Sequence, residues 1–106
     1  MANKKENITT CPVEKTLKII GKKYAVLIIR DLLSGKKRFG QLLHSLKGVS
    51  PRTLSARLDE LEKDKIIRKK VFPVMPPHVE YSLTTSGSEL HAIIDQMGNW
   101  GTAHHK

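Results

Sequence analysis

Ser50-Pro51-Arg52-Thr53-Leu54-Ser55-Ala56-Arg57-Leu58-Asp59-Glu60-Leu61 reads as the opening of a helix whose two sides differ in kind. Ser50 supplies a hydroxyl for the orphan backbone amides, and Pro51 occupies the first helical position, where its missing N–H costs nothing. At 100° per residue Leu54, Leu58 and Leu61 fall within about 60° of one another, which leaves Arg52, Ser55, Ala56 and Asp59 on the opposite side. The stretch before this helix is charged in one sense only. Residues 32–58 contain six Lys or Arg (Lys36, Lys37, Arg38, Lys47, Arg52, Arg57) and no carboxylate, and the acids resume at Asp59, Glu60, Glu62 and Asp64. Phosphates bind well at a helix N-terminus and badly beside carboxylates, so the N-terminal half is expected to enter a DNA groove.

The residue types on that outer side suit a major groove. Arg52 can fork onto a guanine edge, Ser55 can donate or accept, and Ala56 can touch a thymine methyl. Thr53 and Arg57 on the flanks suit phosphates, with Ser50 and Pro51 at the leading tip. A merely solvated charged face would leave this helix start, so well suited to groove docking, unexplained.

Working outward, Phe39, Leu42, Leu43 and Leu46 recur at helical spacing just upstream, after Lys36-Lys37-Arg38. Before them, Lys22 to Leu33 reads as a buried central helix ended by Ser34-Gly35, and Pro12 to Gly21 as a first helix with Val13, Leu17 and Ile20 on one side. Downstream, Ile66 to Leu83 interleaves β-branched and aromatic residues with charges around Pro73-Val74-Met75-Pro76-Pro77, which predicts a two-stranded hairpin with a stiff tip. Its first strand carries Arg68, Lys69 and Lys70, and His78 follows the tip; cations there would reach phosphates or the minor groove, or simply keep an edge strand soluble. A last helix is expected from Thr84 or Thr85 to Gly101, with Leu90, Ile93, Ile94, Met97 and Trp100 as its apolar stripe. The expected fold is mainly α with a small β-wing (α+β), a single winged helix-turn-helix domain over residues 11–101, with a flexible leader at 1–10 and a tail at 102–106.

Composition agrees with a polyanionic partner. The 106 residues hold 19 Lys and Arg against 10 Asp and Glu, a formal charge of +9 and a pI near 9.9, which points to nucleic acid or an anionic surface. The longest apolar run, Ala25 to Ile29, is far short of the roughly 20 residues that cross a bilayer. The start, MANKKENITT, has no apolar run and does not read as a secretory signal. A single cysteine, Cys11, cannot form an intramolecular bridge and fits a reducing cytoplasm, where a nucleoid-associated protein would act. No Gly-rich phosphate loop, metal-spaced Cys/His set or Ser, His and acid grouping is present, so no enzyme, cofactor or metal site is expected. His91, His104 and His105 have no carboxylate or thiol assigned beside them and read as solvated.

The run Cys11-Pro12-Val13-Glu14, then Gly21, then Leu32-Leu33-Ser34-Gly35-Lys36-Lys37-Arg38-Phe39, "GVSPRTLSARLDELE" from Gly48 to Glu62 and "PPHVEYSLT" from Pro76 to Thr84 resembles the HxlR-type winged helix-turn-helix regulators of bacteria and archaea, within the MarR-like superfamily. The resemblance covers residues 11 to about 101, and the ordered succession of motifs is more specific than any one of them. It implies a homodimeric, sequence-specific DNA-binding regulator with Ser50 to Leu61 as recognition helix and Val71 to Tyr81 around the wing. Two positions depart from the family pattern. Gly21-Lys22-Lys23-Tyr24 stands where Gly-Gly-Lys-Trp is usual, and His78 replaces the wing arginine that commonly follows the two prolines. A histidine, with an ordinary pKa of about 6.5, is a weaker and pH-dependent phosphate contact.

Val13, Leu17 and Ile20 of the first helix and Leu90, Ile93, Ile94, Met97 and Trp100 of the last present more apolar surface than a domain this small is expected to cover by itself. Pairing them across a two-fold axis would set two recognition helices roughly 34 Å, or 10–10.5 base pairs, apart on an inverted repeat. With Thr10 or Cys11 at the cap, Pro12 at the first helical position and Glu14 near a capping-box position, Cys11 lies at the positive end of that helix. Lys15 and Lys18 favour its thiolate and Glu14 opposes it. In several members of the family that it resembles, the cysteine before the proline senses oxidants or electrophiles; a sensor and a packing role both stay open. The expected function is a transcriptional regulator, a repressor, binding double-stranded DNA as a dimer, with an oxidant or small molecule as candidate effector. The alternative is a non-specific architectural DNA-binding protein.

Overall fold

The computed structural model describes residues 11–105. The expected leader, and Thr10 as a candidate cap, lie outside those residues. The elements run α1 (Pro12–Ile20), α2 (Ala25–Leu32), β1 (Lys37–Arg38), α3 (Phe39–Ser45), α4 (Pro51–Lys63), β2 (Ile67–Phe72), β3 (His78–Leu83), α5 (Thr85–Ser88) and α6 (His91–His104). This is a winged helix: α3 and α4 form the helix-turn-helix, and the strands form one antiparallel sheet in the order β1-β3-β2.

The core is built where periodicity placed it. Leu54, Leu58 and Leu61 of α4 are fully buried with Ile28 and Ile29 of α2, Leu42 of α3 and Ile67 of β2. Each such side chain contributes roughly 1.5–3 kcal/mol by leaving water. No polar or charged side chain among the described residues is buried, so the interior is held by shape and area.

Four local features differ from expectation. The second helix begins at Ala25, not Lys22, because Tyr24 takes a left-handed conformation with φ 74°, and its ring packs on the core instead of extending the helix. The sheet gains a third strand, β1, whose Lys37 and Arg38 pair with Tyr81 and Glu80; two basic residues give no alternation that could reveal it. The last helix is broken. Thr84 Oγ1 accepts from the Gly87 amide at 3.1 Å and donates to the Lys65 carbonyl at 2.7 Å, which starts α5 and pins it to the turn after α4. The chain then restarts as α6 and continues past the expected stop at Gly101 to His104, since neither Gly98 nor Gly101 has positive φ.

The fourth feature concerns the apolar stripes. Ile20 and Ile94 are buried in the protomer's own core, and Leu90 is half-buried against it. These three residues are spent on folding and offer little or nothing to a partner, which corrects their place in the expected seam. Val13, Leu17, Ile93, Met97 and Trp100 remain exposed, and Leu27 of α2 joins them.

Candidate nucleic-acid interface

Helix α4 starts as its sequence dictates. Ser50 Oγ accepts from the Thr53 amide at 3.1 Å and donates to Thr53 Oγ1 at 3.1 Å, so both hydroxyls are engaged in the cap. Ser50 and Thr53 therefore act first by fixing the direction of the helix. Pro51 has no amide, and the first turn holds no acid. What the N-terminus offers to an anion is the Arg52 backbone amide, an orphan by position, and the positive end of the dipole. Arg52, Ser55 and Ala56 are exposed on one side, opposite the three buried leucines.

Arg57 is placed elsewhere. Its Nε donates to the Lys23 carbonyl at 3.0 Å and its Nη1 lies 3.3 Å from Glu60 Oε1. Lys22 reaches the other oxygen of Glu60 at 3.4 Å. The guanidinium thus ties α4 to the elbow between α1 and α2, a structural role apart from the phosphate binding expected of it. The sequence could not show this, because the accepting carbonyl is 34 residues away.

The three-stranded sheet gathers basic residues that are distant in sequence. Directly paired residues of an antiparallel sheet share a face, so Arg38 and Lys70 lie on either side of Glu80, with Arg68 opposite Ser82 in the next row but one. Arg68 thereby joins the basic face, although the sequence offers it only as part of a run. Lys69 and Lys70 fall on opposite faces: Lys69 pairs with Tyr81, as Lys37 does. Strand alternation therefore puts only Lys70 of the two beside Arg38 and Arg68. Lys36 Nζ lies 3.6 Å from Glu80 Oε1, and Lys37 Nζ donates to Ser34 Oγ at 3.1 Å.

His78 opens β3 rather than standing free at the tip. Its ring stacks on Phe72 at 4.6 Å and its Nε2 is 3.6 Å from Glu80 Oε2. It braces the wing base and is half-buried, a poor position for a phosphate contact. Tyr81, on the other face, has its phenol pushed above the usual 10 first by burial and then by the charges of Asp59 and Glu62. Those acids belong to the C-terminal half of α4, away from its acid-free first turn.

At the other end, Cys11 is the N-cap of α1 and Pro12 its first residue, with no side-chain hydrogen bond at the cap. The thiol is partly exposed. No cluster of metal-binding side chains occurs among the described residues. His91 lies 3.1 Å from Asp95, while His104 stacks on Trp100 at 4.5 Å.

Comparison with known proteins agrees with this geometry. A family model for the HxlR-like helix-turn-helix matches residues 19–106. The uncharacterized HTH-type transcriptional regulator sll1512 of Synechocystis is 40% identical over 92 residues, 87% of this chain and 68% of that one. Among solved structures, the redox regulator HypR in its oxidized form superposes with a TM-score of 0.85 at 40% identity, covering 91% of this chain and 99% of that one. Diamide-treated YodB from Bacillus subtilis superposes at 0.74 with 34% identity, covering 91% and 96%.

Proposed function

The chain belongs to the HxlR-like helix-turn-helix family of transcriptional regulators, and from that premise we propose that it is a homodimeric repressor that binds an inverted repeat in double-stranded DNA. Its members are DNA-binding regulators, not enzymes. The observation that carries the proposal is the start of α4: a capped, acid-free helix end with Arg52, Ser55 and Ala56 exposed beside one another. Arg52 and Ser55 read base edges, Ala56 meets a thymine methyl, and Lys36, Arg38, Arg68 and Lys70 hold phosphates. Such a protein would act in the cytoplasm, on the nucleoid.

We further propose that Cys11 makes binding responsive to oxidants or electrophiles. Support comes from its place at the cap of α1 as the sole thiol and from the similarity to a redox regulator and to a diamide-treated regulator. With one thiol per chain, any disulfide joins two subunits or takes up a small thiol.

Selecting duplexes from a random pool and competing them in a mobility-shift titration tests the main proposal. Specific binding should exceed non-specific binding by about 10³ or more at physiological salt. Equal competition by unrelated duplexes would instead make this an architectural protein. For the thiol, diamide should release DNA from the native protein and not from Cys11→Ser; release from both would remove Cys11 from the response.

A further inference from the structure

The wing tip is unlike the rest of this basic molecule. Residues 71–77, Val-Phe-Pro-Val-Met-Pro-Pro, carry no charge. Met75 is 92% exposed, more than any other large apolar side chain among the described residues, and Val71 and Val74 are more than half exposed. A tip that held phosphates by charge would need a cation, and none is present.

The tip is also stiffly mounted. Three prolines fix their own φ, and the Val74 amide donates to the Phe72 carbonyl at 2.9 Å. Beneath it Phe72 and His78 stack with ring planes 20° apart, and Lys70 Nζ sits 5.1 Å from the centre of the Phe72 ring. An apolar blade therefore stands on an aromatic base, and directly behind it the sheet face carries Lys70, Arg38 and Arg68.

That order of features selects an occupant. Cations on the strands draw the wing to the phosphates of a duplex, and between two phosphate rows in the minor groove lie stacked bases, whose apolar faces become accessible where a step opens. We propose that Met75 is a wedge that enters the minor groove and partly unstacks a base step, bending the duplex, so that the wing reads deformability and not hydrogen-bond pattern. Unstacking is easiest at pyrimidine–purine steps such as TA and CA/TG. The preferred sequence would then include such a step beside each half-site. This inference rests on the regulator reading above and adds a contact to it.

The test uses the full chain and a duplex selected by it from a random pool, with 2-aminopurine walked through the flanks of each half-site and a donor–acceptor pair at the duplex ends. The native protein is expected to raise 2-aminopurine fluorescence at one flanking step and to shorten the end-to-end distance. Met75→Ala should lose both signals and weaken binding about tenfold, as losing one favourable wedge contact implies. Met75→Lys should keep or raise affinity through an added phosphate contact while still losing the fluorescence rise. Binding by the native protein with flat signals, or signals that persist in both variants, would overturn the wedge and leave the regulator reading intact. Failure to select any duplex would overturn both.

Discussion

Arg52 and Arg57 lie on one helix, five positions apart, and the structure surrounds them differently. Arg52 is exposed at the capped end, and Arg52→Ala is expected to cost about 1–3 kcal/mol in specific binding, relaxing one operator position while leaving the denaturant midpoint unchanged. Arg57 holds the Lys23 carbonyl and Glu60, so Arg57→Ala should lower stability by about 1–2 kcal/mol, read as a shift in the same midpoint. Tyr81 makes a pH prediction. Its phenol titrates above the usual 10 in the folded chain, so the unfolded chain releases its proton first. The stabilisation from this residue is present below about 10 and is lost as pH rises through the higher folded value. Tyr81→Phe should flatten that alkaline fall in a denaturation series. The Arg52 side of α4 was legible because burial of Leu54, Leu58 and Leu61 fixes what faces out. The task of Arg57 was not, since its partner is a backbone carbonyl in a turn that exists only once Tyr24 has turned left-handed.

At the scale of elements, the same contrast separates α4 from α6. A cap, a proline and a leucine stripe agree on α4, and the structure follows them. In α6 the stripe from Leu90 to Trp100 is continuous in sequence, yet the helix breaks before it because Gly87 packs against Ile66, at the start of the wing. A Cβ at Gly87 would overlap the Ile66 carbonyl oxygen, a tertiary constraint without local trace. Strand β1 was hidden for a related reason, since its pairing with β3 is a long-range event. Gly98 is a different case, with nothing within 4 Å of an added Cβ and a helical backbone. Gly98→Ala should therefore stabilise the protomer by about 0.5–1 kcal/mol, measured by thermal melting at low concentration.

For the whole molecule, the exposed apolar residues define what an assembly would bury. Val13 and Leu17 on α1, Leu27 on α2, and Ile93, Met97 and Trp100 on α6 remain uncovered at 38–67% exposure. If they form the seam of the proposed dimer, Leu17→Glu and Met97→Glu should each shift sedimentation toward monomer and weaken binding to an inverted repeat at least about tenfold, because a charge buried in an apolar seam is costly. Binding to a single half-site would stay nearly as it was. Five of the eight residues expected at a seam stay exposed; the burial of Ile20 and Ile94 was not legible, because a stripe in sequence does not say whether its own domain or another will cover it.

The tie from Arg57 to the elbow of α1 and α2 also has a mechanical side. It grips α4 near its middle, and Arg52 lies about 7.5 Å further along the axis at 1.5 Å per residue. A tilt of about 10° around that grip moves Arg52 by about 1.3 Å, more than a bidentate contact to a guanine edge tolerates. Helix α1, with Cys11 at its far end, leads into the same elbow. Helix α4 is in effect a short lever whose fulcrum is set by the N-terminal helix, so a small displacement there would be amplified at the end proposed to read bases.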